Sequence, residues 1–366
     1  MAALRHNFRE IKKLADDRKV MAVVKSDAYG HGLIGSALTL SQAGADALGV
    51  TDISEGLALK EHGLHLPIHI IGGLGSPAQM EPAIRNGFSI FAAGLEQLKA
   101  LSEKAAELGL TAKAHVKVDT GLGRRGLSID GLRQMLREIM TWPNLEIQGL
   151  ASHMATAGDQ GAHDQLEKFD DICFKANQIG LPGHSNTILN SGGLIWHPNH
   201  PAPMVRVGLM LYGAHPGPEL GPVRPDLRGV MTVVSRITHI HELAPGDTVG
   251  YGRAFVVRRP MRVAVAPFGY SHGLMRSRSG RGWVLIRGQR APQVGLISMN
   301  ASTYDVTNIP DAEIGDNVVI LGRHSTFQIK IGDLASWAAT TPYELLNLLG
   351  RLNPRYIEGS DYEEDA

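Results

Sequence analysis

The sequence has few of the features that mark a disulfide-stapled, nucleic-acid-binding or membrane-spanning protein. Its single cysteine, Cys173, cannot form an internal disulfide. Its 36 lysines and arginines balance 36 aspartates and glutamates, so it lacks the basic excess typical of a nucleic-acid-binding protein. No apolar run approaches the roughly 18 residues that are needed to cross a bilayer. These absences favour a cytoplasmic protein that handles a small molecule, with no nucleic-acid or membrane partner.

The residues that are present indicate a large globular protein with a repeating α/β pattern. A length of 366 residues suits one large barrel plus a second unit. Short apolar runs alternate with longer amphipathic segments over the first two-thirds of the chain. The candidate strands are Met21–Lys25, Ala47–Thr51, Pro67–Gly72, Ser89–Ala92, Ala114–Asp119, Glu146–Ser152, Ser185–Asn190 and Met204–Gly208. Eight strands that alternate with helices predict an α/β fold with an N-terminal (β/α)8 TIM-type barrel.

The pattern changes after Pro216–Leu227, a Pro- and charge-rich stretch that is predicted to be a linker. From Val230 onward, strand-like segments such as RVAVAPFGY and NVVILG follow one another between turn signals. The chain is therefore predicted to divide into a barrel, residues 1–228, and a mostly-β domain, residues 229–366. The acidic tail Gly359–Ala366 is expected to be frayed.

Lys25 is the most informative candidate for a reactive residue. In a parallel barrel the reactive side chains gather at the carboxyl ends of the strands, and Lys25 closes the apolar run MAVV. Burial there lowers the pKa of a lysine and favours the neutral, nucleophilic amine. Such an amine can form a Schiff base with a carbonyl cofactor such as pyridoxal phosphate, PLP. The position alone fits a strand-end lysine whose ammonium group reaches solvent better than it fits a cofactor lysine.

Eight sequence blocks, which occur in order along nearly the whole chain, resemble the alanine racemase family. MAVVKSDAYGHG is similar to the family's usual AVVKANAYGHG, and HVKVDTGLGRRG, SHMATAGD, NS, MVRVGLMLYG, VGYGRAF, PFGYSHG and SMN follow it. The resemblance implies a PLP-binding barrel and a C-terminal β domain that contributes to the partner's active site in a homodimer. It also implies an isomerase that interconverts L- and D-alanine and supplies D-alanine for peptidoglycan.

The resemblance implies two catalytic bases, Lys25 and Tyr270, the second reaching in from the partner subunit. Two bases suit racemisation because a proton must leave one face of Cα and another must be added to the opposite face. Tyrosine is rarely ionised at neutral pH, so a cationic neighbour must assist it, and His153 is the family's candidate for that assistance.

The resemblance also implies which residues hold the cofactor and the substrate. Arg206 faces the pyridine nitrogen, and because arginine does not give up its proton, it disfavours the long-lived carbanion of decarboxylation or transamination. Barrels often seat phosphates after strands seven and eight, although glycines there also fit tight turns. The implied cofactor-binding residues are Lys25, Tyr29, His153, Ser191, Arg206, Gly208 and Leu209. Arg124 and the partner's Met299 bind the substrate carboxylate, and Lys117 matches a lysine that is often carbamylated.

Several positions depart from the family pattern. Leu296, Asn300 and His272 stand where arginine, aspartate and aspartate are usual near the substrate entrance. Thr187 stands where many members have a histidine that supports the arginine at the cofactor ring, and Arg351 falls where some have a phosphate-contacting tyrosine. These departures leave two alternatives open: a racemase of broader substrate range, and a non-catalytic PLP carrier on the same barrel.

Two further signals are expected to carry no chemistry. The run Gly121–Gly126 fits the G-x-G-x-x-G pattern of dinucleotide-binding proteins, but it lies after the fifth strand and two arginines crowd it. The histidines lack supporting carboxylates or cysteines at metal-ligand spacing, so no metal site is expected. They are His62, His65, His69, His197 and His200.

Overall fold

The computed structural model describes residues 1–217 and 221–356. The predicted frayed tail, Gly359–Ala366, and residues 218–220 of the predicted linker lie outside this range. The chain divides into two compact units. One contains Met1–Ala28 and Gly32–Arg228, and the other contains Tyr29–His31 and the chain from Gly229 onward. None of the helices in the described ranges is both long and apolar enough to cross a membrane.

The first two-thirds of the chain alternates strands with helices, as predicted. The strands are β1 Lys19–Val23, β2 Ala47–Val50, β3 Ile68–Ile70, β4 Ser89–Ala92, β5 Ala112–Lys117, β6 Leu145–Ala151 and β7 Met204–Val207. The helices are α1 Ala2–Ala15, α2 Lys25–Gly30, α3 Leu33–Gln42, α4 Ile53–Glu61, α5 Met80–Arg85, α6 Leu95–Leu108, α7 Ile129–Ile139, α8 Gln160–Gln178 and α9 Ser191–Trp196. The strands pair in parallel in the order β6-β5-β4-β3-β2-β1-β7. This curled parallel sheet confirms the predicted α/β class.

The predicted strand Ser185–Asn190 is wrong, because this segment makes only one isolated bridge to the sheet. The side-chain Oδ1 of Asn186 accepts the Leu150 N–H at 2.7 Å. In a regular ladder that N–H would donate to a backbone carbonyl. The segment nevertheless joins the two edge strands, since the N–H groups of Ser152 and Arg206 both donate to its carbonyls at 2.9 Å. Seven strands and this bridging segment therefore replace the eight strands that were expected.

The second unit is mostly β, as predicted. Its strands are β8 Val233–Arg236, β9 His239–Leu243, β10 Thr248–Val249, β11 Phe255–Val256, β12 Met261–Ala266, β13 Trp283–Ile286, β14 Gln289–Val294, β15 Ser302–Asp305, β16 Asn317–His324 and β17 Phe327–Ile329. Seven of them form the antiparallel path β17-β16-β13-β14-β15-β12-β9, and β8 pairs with β16. Its two longer helices are α10 Ile331–Ala338 and α11 Pro342–Arg351.

Within this second unit, α11 lies against the short segment that contains Gly30. A Cβ atom on Gly350 would lie 1.9 Å from the carbonyl oxygen of Gly30. We expect Gly350→Ala to destabilise the protein by about 1–3 kcal/mol, because backbone must move to make room for the methyl group. Gly332→Ala is the matched control, since no atom lies within 4 Å of its added Cβ. Thermal unfolding of both variants tests this, and equal midpoints would contradict it.

Candidate active site

Lys25 lies at the carboxyl end of β1, beside β7. The two strands pair in parallel with Met21 opposite Arg206, so Lys25 emerges next to the segment that follows Arg206. Burial lowers the pKa of Lys25, Arg124 and Arg206 lower it further, and Glu55 opposes them. At a given pH, a larger fraction of Lys25 is therefore neutral than of an exposed lysine, which suits a nucleophile or a base.

The residues of the short helix α2 that follow Lys25 turn in the left-handed sense. β1 ends at Val23, earlier than predicted, and Ser26, Asp27, Ala28 and Tyr29 have φ angles of 53–56°. For residues other than glycine this left-handed conformation costs about 1–2 kcal/mol each. Such strain persists only where the surrounding structure imposes it, and it clusters at functional sites. The conspicuous KSDAYGHG motif is therefore a strained turn attached to the lysine.

Arg206 places a fixed positive charge on the neighbouring strand. Its Nη1 donates to Thr187 Oγ1 at 2.8 Å, and its Nη2 donates to the Ser152 carbonyl. Its guanidinium carbon also lies 5.8 Å from the ring centre of Phe91. In the part of the chain that the structure describes, no carboxylate pairs with Arg206. Burial lowers its pKa to about 10, which leaves the side chain positive at neutral pH.

His153 is neutral and its tautomer is fixed. Arg206 Nη2 lies 3.3 Å from His153 Nδ1, and because a guanidinium only donates, Nδ1 accepts and the proton resides on Nε2. Burial and the positive charge of Arg206 lower the pKa of His153 to about 3. This favours Arg206 over His153 as the source of the positive charge that was expected to assist the tyrosine base. Arg206 carries that charge, and His153 offers a neutral N–H donor.

Gln165 on α8 supports the backbone around His153. Its Nε2 donates to Thr120 Oγ1 at 3.1 Å and to the His153 carbonyl at 3.2 Å, while its Oε1 accepts the Ala155 N–H at 2.8 Å. Sequence reasoning missed this role, because a glutamine on an amphipathic helix matches no catalytic pattern. Its spacing from His153 along the loop before α8 is the only signal that could have suggested it.

Three of the predicted phosphate residues come together at the amino end of α9. The backbone N–H groups of Gly208 and Met210 point at Ser191 Oγ, at 3.2 and 3.5 Å. Leu209 lies between them in sequence and opens a short 3-10 helix. Backbone N–H groups that converge beside a hydroxyl are typical surroundings of a phosphate oxygen. Tyr29, the fourth predicted phosphate residue, belongs to the second unit.

Lys117 and Arg124 lie at and after the carboxyl end of β5. Lys117 is buried, and burial together with Arg206, Arg124 and Arg125 lowers its pKa to about 8. Arg124 is exposed. With Lys25 and Arg206, these residues give the carboxyl edge of the barrel a positive character that suits anionic ligands.

The glycine-rich turn that contains Arg124 binds its own carboxylate. Asp119 Oδ1 accepts the N–H groups of Gly121, Leu122 and Gly123 at 2.9–3.2 Å, and these hydrogen bonds lower the pKa of Asp119. These are the donors that a pyrophosphate would need. In this structure Asp119 therefore occupies those donors and holds the turn that carries Arg124.

Most histidines outside this site have a polar neighbour, although the buried Nδ1 of His69 has no hydrogen-bond partner among the described residues. His197 Nε2 lies 2.8 Å from the Ala157 carbonyl, His200 lies 3.2 Å from Asp170, and His69 is buried against Phe91. Within the described ranges, no group of three histidine, cysteine or carboxylate side chains could hold a metal ion.

In the second unit, Tyr270 and Met299 lie on two turns that are hydrogen-bonded to each other. Tyr270 N–H donates to the Ser298 carbonyl at 3.1 Å, and Ser271 N–H donates to the Met299 carbonyl at 2.9 Å. A Cβ on Gly269 would lie 2.2 Å from the Ser298 carbonyl oxygen, so only glycine fits there. Tyr270 and Met299 are 38% and 55% exposed, which leaves both available to a partner.

Two of the residues that depart from the family pattern stabilise these same turns. His272 Nδ1 accepts the Gly269 N–H at 3.1 Å, and its ring stacks on Phe268. Asn300 Oδ1 accepts from Ser271 Oγ at 2.6 Å. His272 and Asn300 therefore have structural partners in this chain.

Comparison with known proteins identifies the family. The family models "Alanine racemase, N-terminal domain" and "Alanine racemase, C-terminal domain" match residues 1–216 and 230–357. A protein named alanine racemase from Syntrophobacter fumaroxidans is 39% identical over 96% of this chain and 94% of its own length. One from Synechocystis is 36% identical over 94% of each chain.

Solved structures agree with this assignment. Alanine racemase from Streptomyces coelicolor matches with a TM-score of 0.92 and 30% identity, over 98% of this chain and 96% of its own. The Bartonella henselae enzyme, described with covalently bound pyridoxal phosphate, matches with a TM-score of 0.87 and 27% identity over 97% of both chains. The chain therefore belongs to the alanine racemase family.

Proposed function

We propose that the chain is a PLP-dependent alanine racemase, an isomerase that interconverts L- and D-alanine. The observation that carries the proposal is Arg206, a buried cation held by neutral partners on the strand beside the one that leads to Lys25. A carboxylate at this position would favour other PLP chemistry. Relatives named alanine racemase, similar over nearly their full lengths, support alanine as the substrate.

The residues of the first unit fit PLP in their chemistry. Lys25 offers an amine for the aldehyde, Arg206 offers donors for the ring nitrogen, and Ser191, Gly208 and Leu209 offer a hydroxyl and backbone N–H groups for the phosphate. The positive edge of the barrel suits an anionic cofactor. We expect Tyr29 to add a phenol contact to the phosphate. When bound, PLP would withdraw electrons from the Cα of an attached amino acid and so acidify its C–H bond.

Two side chains, one on each face of the substrate Cα, move the protons. Lys25, as the neutral amine, takes or returns a proton on one face of Cα, and the partner subunit's Tyr270 does so on the other. His153 offers its Nε2 proton to the phenolate oxygen, and the charge of Arg206 behind it favours that anion. Because Arg206 keeps its own protons, it would leave the ring nitrogen of bound PLP unprotonated.

The substrate carboxylate is bound by Arg124 and by the backbone N–H of the partner subunit's Met299. Lys117, whose lowered pKa exposes a neutral amine, is expected to add carbon dioxide and become a carbamate. That anion would compensate the charges of Arg206 and Arg124.

The proposed assembly is a homodimer with shared active sites. Residues 1–228 form the PLP-binding barrel, and residues 229–366 complete the partner's site. The single cysteine fits a reducing cytoplasm, where the D-alanine produced would supply peptidoglycan precursors.

Chiral chromatography of L-alanine after incubation with the PLP-loaded protein tests the activity. L-serine and L-lysine are incubated in parallel as alternative substrates. We expect D-alanine to accumulate to the racemic equilibrium and D-serine and D-lysine to lag far behind. Comparable conversion of all three would assign a broad-range racemase and indicate that Leu296 and Asn300 widen the substrate range. Cofactor absorption without any D-amino acid would favour the non-catalytic carrier.

A further inference from the structure

The left-handed turn after Lys25 requires an external support. Four consecutive residues other than glycine adopt positive φ angles there, and one of them, Ala28, has no polar side chain to stabilise the conformation. The hydrogen bond from Ala28 N–H to the Val24 carbonyl at 2.8 Å ties the start of the turn back to the end of β1. Without support from elsewhere in the barrel, the chain would relax toward ordinary negative φ values.

Glu55 provides that support from α4. Asp52 and Glu55 form the capping box of this helix, in which Glu55 Oε2 accepts the N–H groups of Thr51 and Asp52 at 3.3 and 3.4 Å. A capping box normally employs its carboxylate only at its own helix end. Here Glu55 Oε1 reaches beyond α4 and accepts the N–H of Asp27 at 3.1 Å.

Asp27 is the residue through which the turn is connected to its surroundings. Its Oδ1 accepts the Leu33 N–H at 2.7 Å, and its carbonyl accepts the Gly32 N–H at 3.0 Å, both at the start of α3. Through Asp27, Glu55 therefore holds the turn between α3 and α4. Its negative charge also acts on Lys25, whose pKa it raises against the effects of burial, Arg124 and Arg206.

We propose that Glu55 is a positioning residue for Lys25: its carboxylate anchors the strained turn 26–29 through Asp27 and so fixes where the lysine leaves β1. The proposal rests on the proposed function in assigning Lys25 as the cofactor lysine. It gives the Asp-Ile-Ser-Glu run at Asp52–Glu55 a role in the active site in addition to capping a helix.

Hydrogen exchange on the full-length chain tests the anchor without reference to activity. The variants are Glu55→Ala, which removes the acceptor, and Glu55→Gln, which keeps an acceptor oxygen and removes the charge. Asp333→Asn is the matched control, because Asp333 Oδ2 accepts the Lys330 N–H at 2.8 Å in the capping box of α10, in the other unit.

In Glu55→Ala, exchange in a peptide covering residues 24–33 should accelerate about tenfold or more, as expected when a hydrogen bond to a charged group is lost. Glu55→Gln has a single acceptor oxygen, which can serve Asp27 or the helix cap but not both, so it should accelerate exchange less than Glu55→Ala does. Asp333→Asn should leave this peptide unchanged. Unchanged exchange in Glu55→Ala, or equal acceleration in Asp333→Asn, would overturn the proposal. If Glu55→Ala does not fold, wild-type exchange of this peptide in Glu55→Gln overturns the proposal.

The rate at which the full chain takes up PLP after cofactor removal, followed by visible absorption, supplies the second readout. Because the charge of Glu55 raises the pKa of Lys25, both Glu55 variants should shift the pH profile of attachment to lower pH, and Asp333→Asn should not. Glu55→Ala should also lower kcat for alanine with little change in KM. If wild-type protein takes up no PLP, the proposed function fails, while the exchange experiment still decides whether Glu55 anchors the turn.

Discussion

The Lys25→Ala variant is expected to show no visible absorption from bound PLP and a loss of racemisation of about 10⁴-fold or more, because it removes both the covalent attachment and one base. Lys25 is the lysine at the carboxyl end of β1. The neighbouring strand β7 carries Arg206 and leads to Gly208, whose N–H donates to Ser191 Oγ. We expect a small amine added to the Lys25→Ala variant to restore only part of the activity, because the strained turn fixes the direction of the lysine side chain and a free amine has no such constraint.

Lys19→Ala is the control for this experiment. Lys19 is the exposed first residue of the same strand, at its opposite end, so its removal changes the charge equally and leaves the site intact. Absorption from bound PLP and racemisation should both remain in this control. A cofactor band that persists in Lys25→Ala would contradict the assignment, as would an equal loss in both variants.

The pKa of Lys25 adds a pH dependence to the wild-type protein. Burial and the two arginines lower the pKa of the amine, so the neutral form is already present at a pH where an ordinary lysine is protonated. The attachment rate should therefore reach its plateau at a lower pH than that of an exposed lysine. Stopped-flow absorption across a pH series measures this plateau.

The sequence predicted most of the barrel because short buried strands and amphipathic helices each carry a local pattern. The strand β4, Ser89–Ala92, has the predicted bounds. The segment Ser185–Asn190 has the apolar content of a strand, but the Asn186 side chain takes the place of a ladder partner. Whether an asparagine replaces a backbone acceptor depends on where Leu150 lies in space, and no local pattern encodes that.

The sequence predicted which residues belong to the candidate site better than it predicted their charge states. Family blocks pointed to Lys25, Arg206 and His153, and the structure brings these three into one unit. The neutral state of His153 follows from a contact with Arg206 that spans 53 residues of sequence. The role of Glu55 similarly follows from a hydrogen bond across 28 residues, although the capping box around it could have been recognised from its spacing.

The Tyr270→Phe variant is expected to keep the cofactor absorption and to lose racemisation by about 10²–10⁴-fold, the range for removal of one acid–base group. The substitution deletes only a hydroxyl from a half-exposed ring, and the backbone bonds from this turn to Ser298 and Met299 remain. Exchange of the α-proton should be lost more severely from L-alanine than from D-alanine, because only the base on one face is removed. Tyr356→Phe, at a tyrosine that is 89% exposed, is the control.

A mixture of Lys25→Ala and Tyr270→Phe chains tests whether Tyr270 acts on its own barrel or on a partner's. In a two-fold symmetric dimer with shared sites, a mixed pair has one site with both bases intact and one with neither, so random re-association of inactive variants should restore about one quarter of wild-type activity. If Tyr270 acted within its own chain, every site would lack one base and the mixture would stay inactive. Equal loss of α-proton exchange from both enantiomers in Tyr270→Phe would separately exclude a distinct base on that face. Recovery in the mixture, together with one-sided loss of exchange, would establish both the two-base mechanism and the contribution of the second unit to a neighbouring barrel.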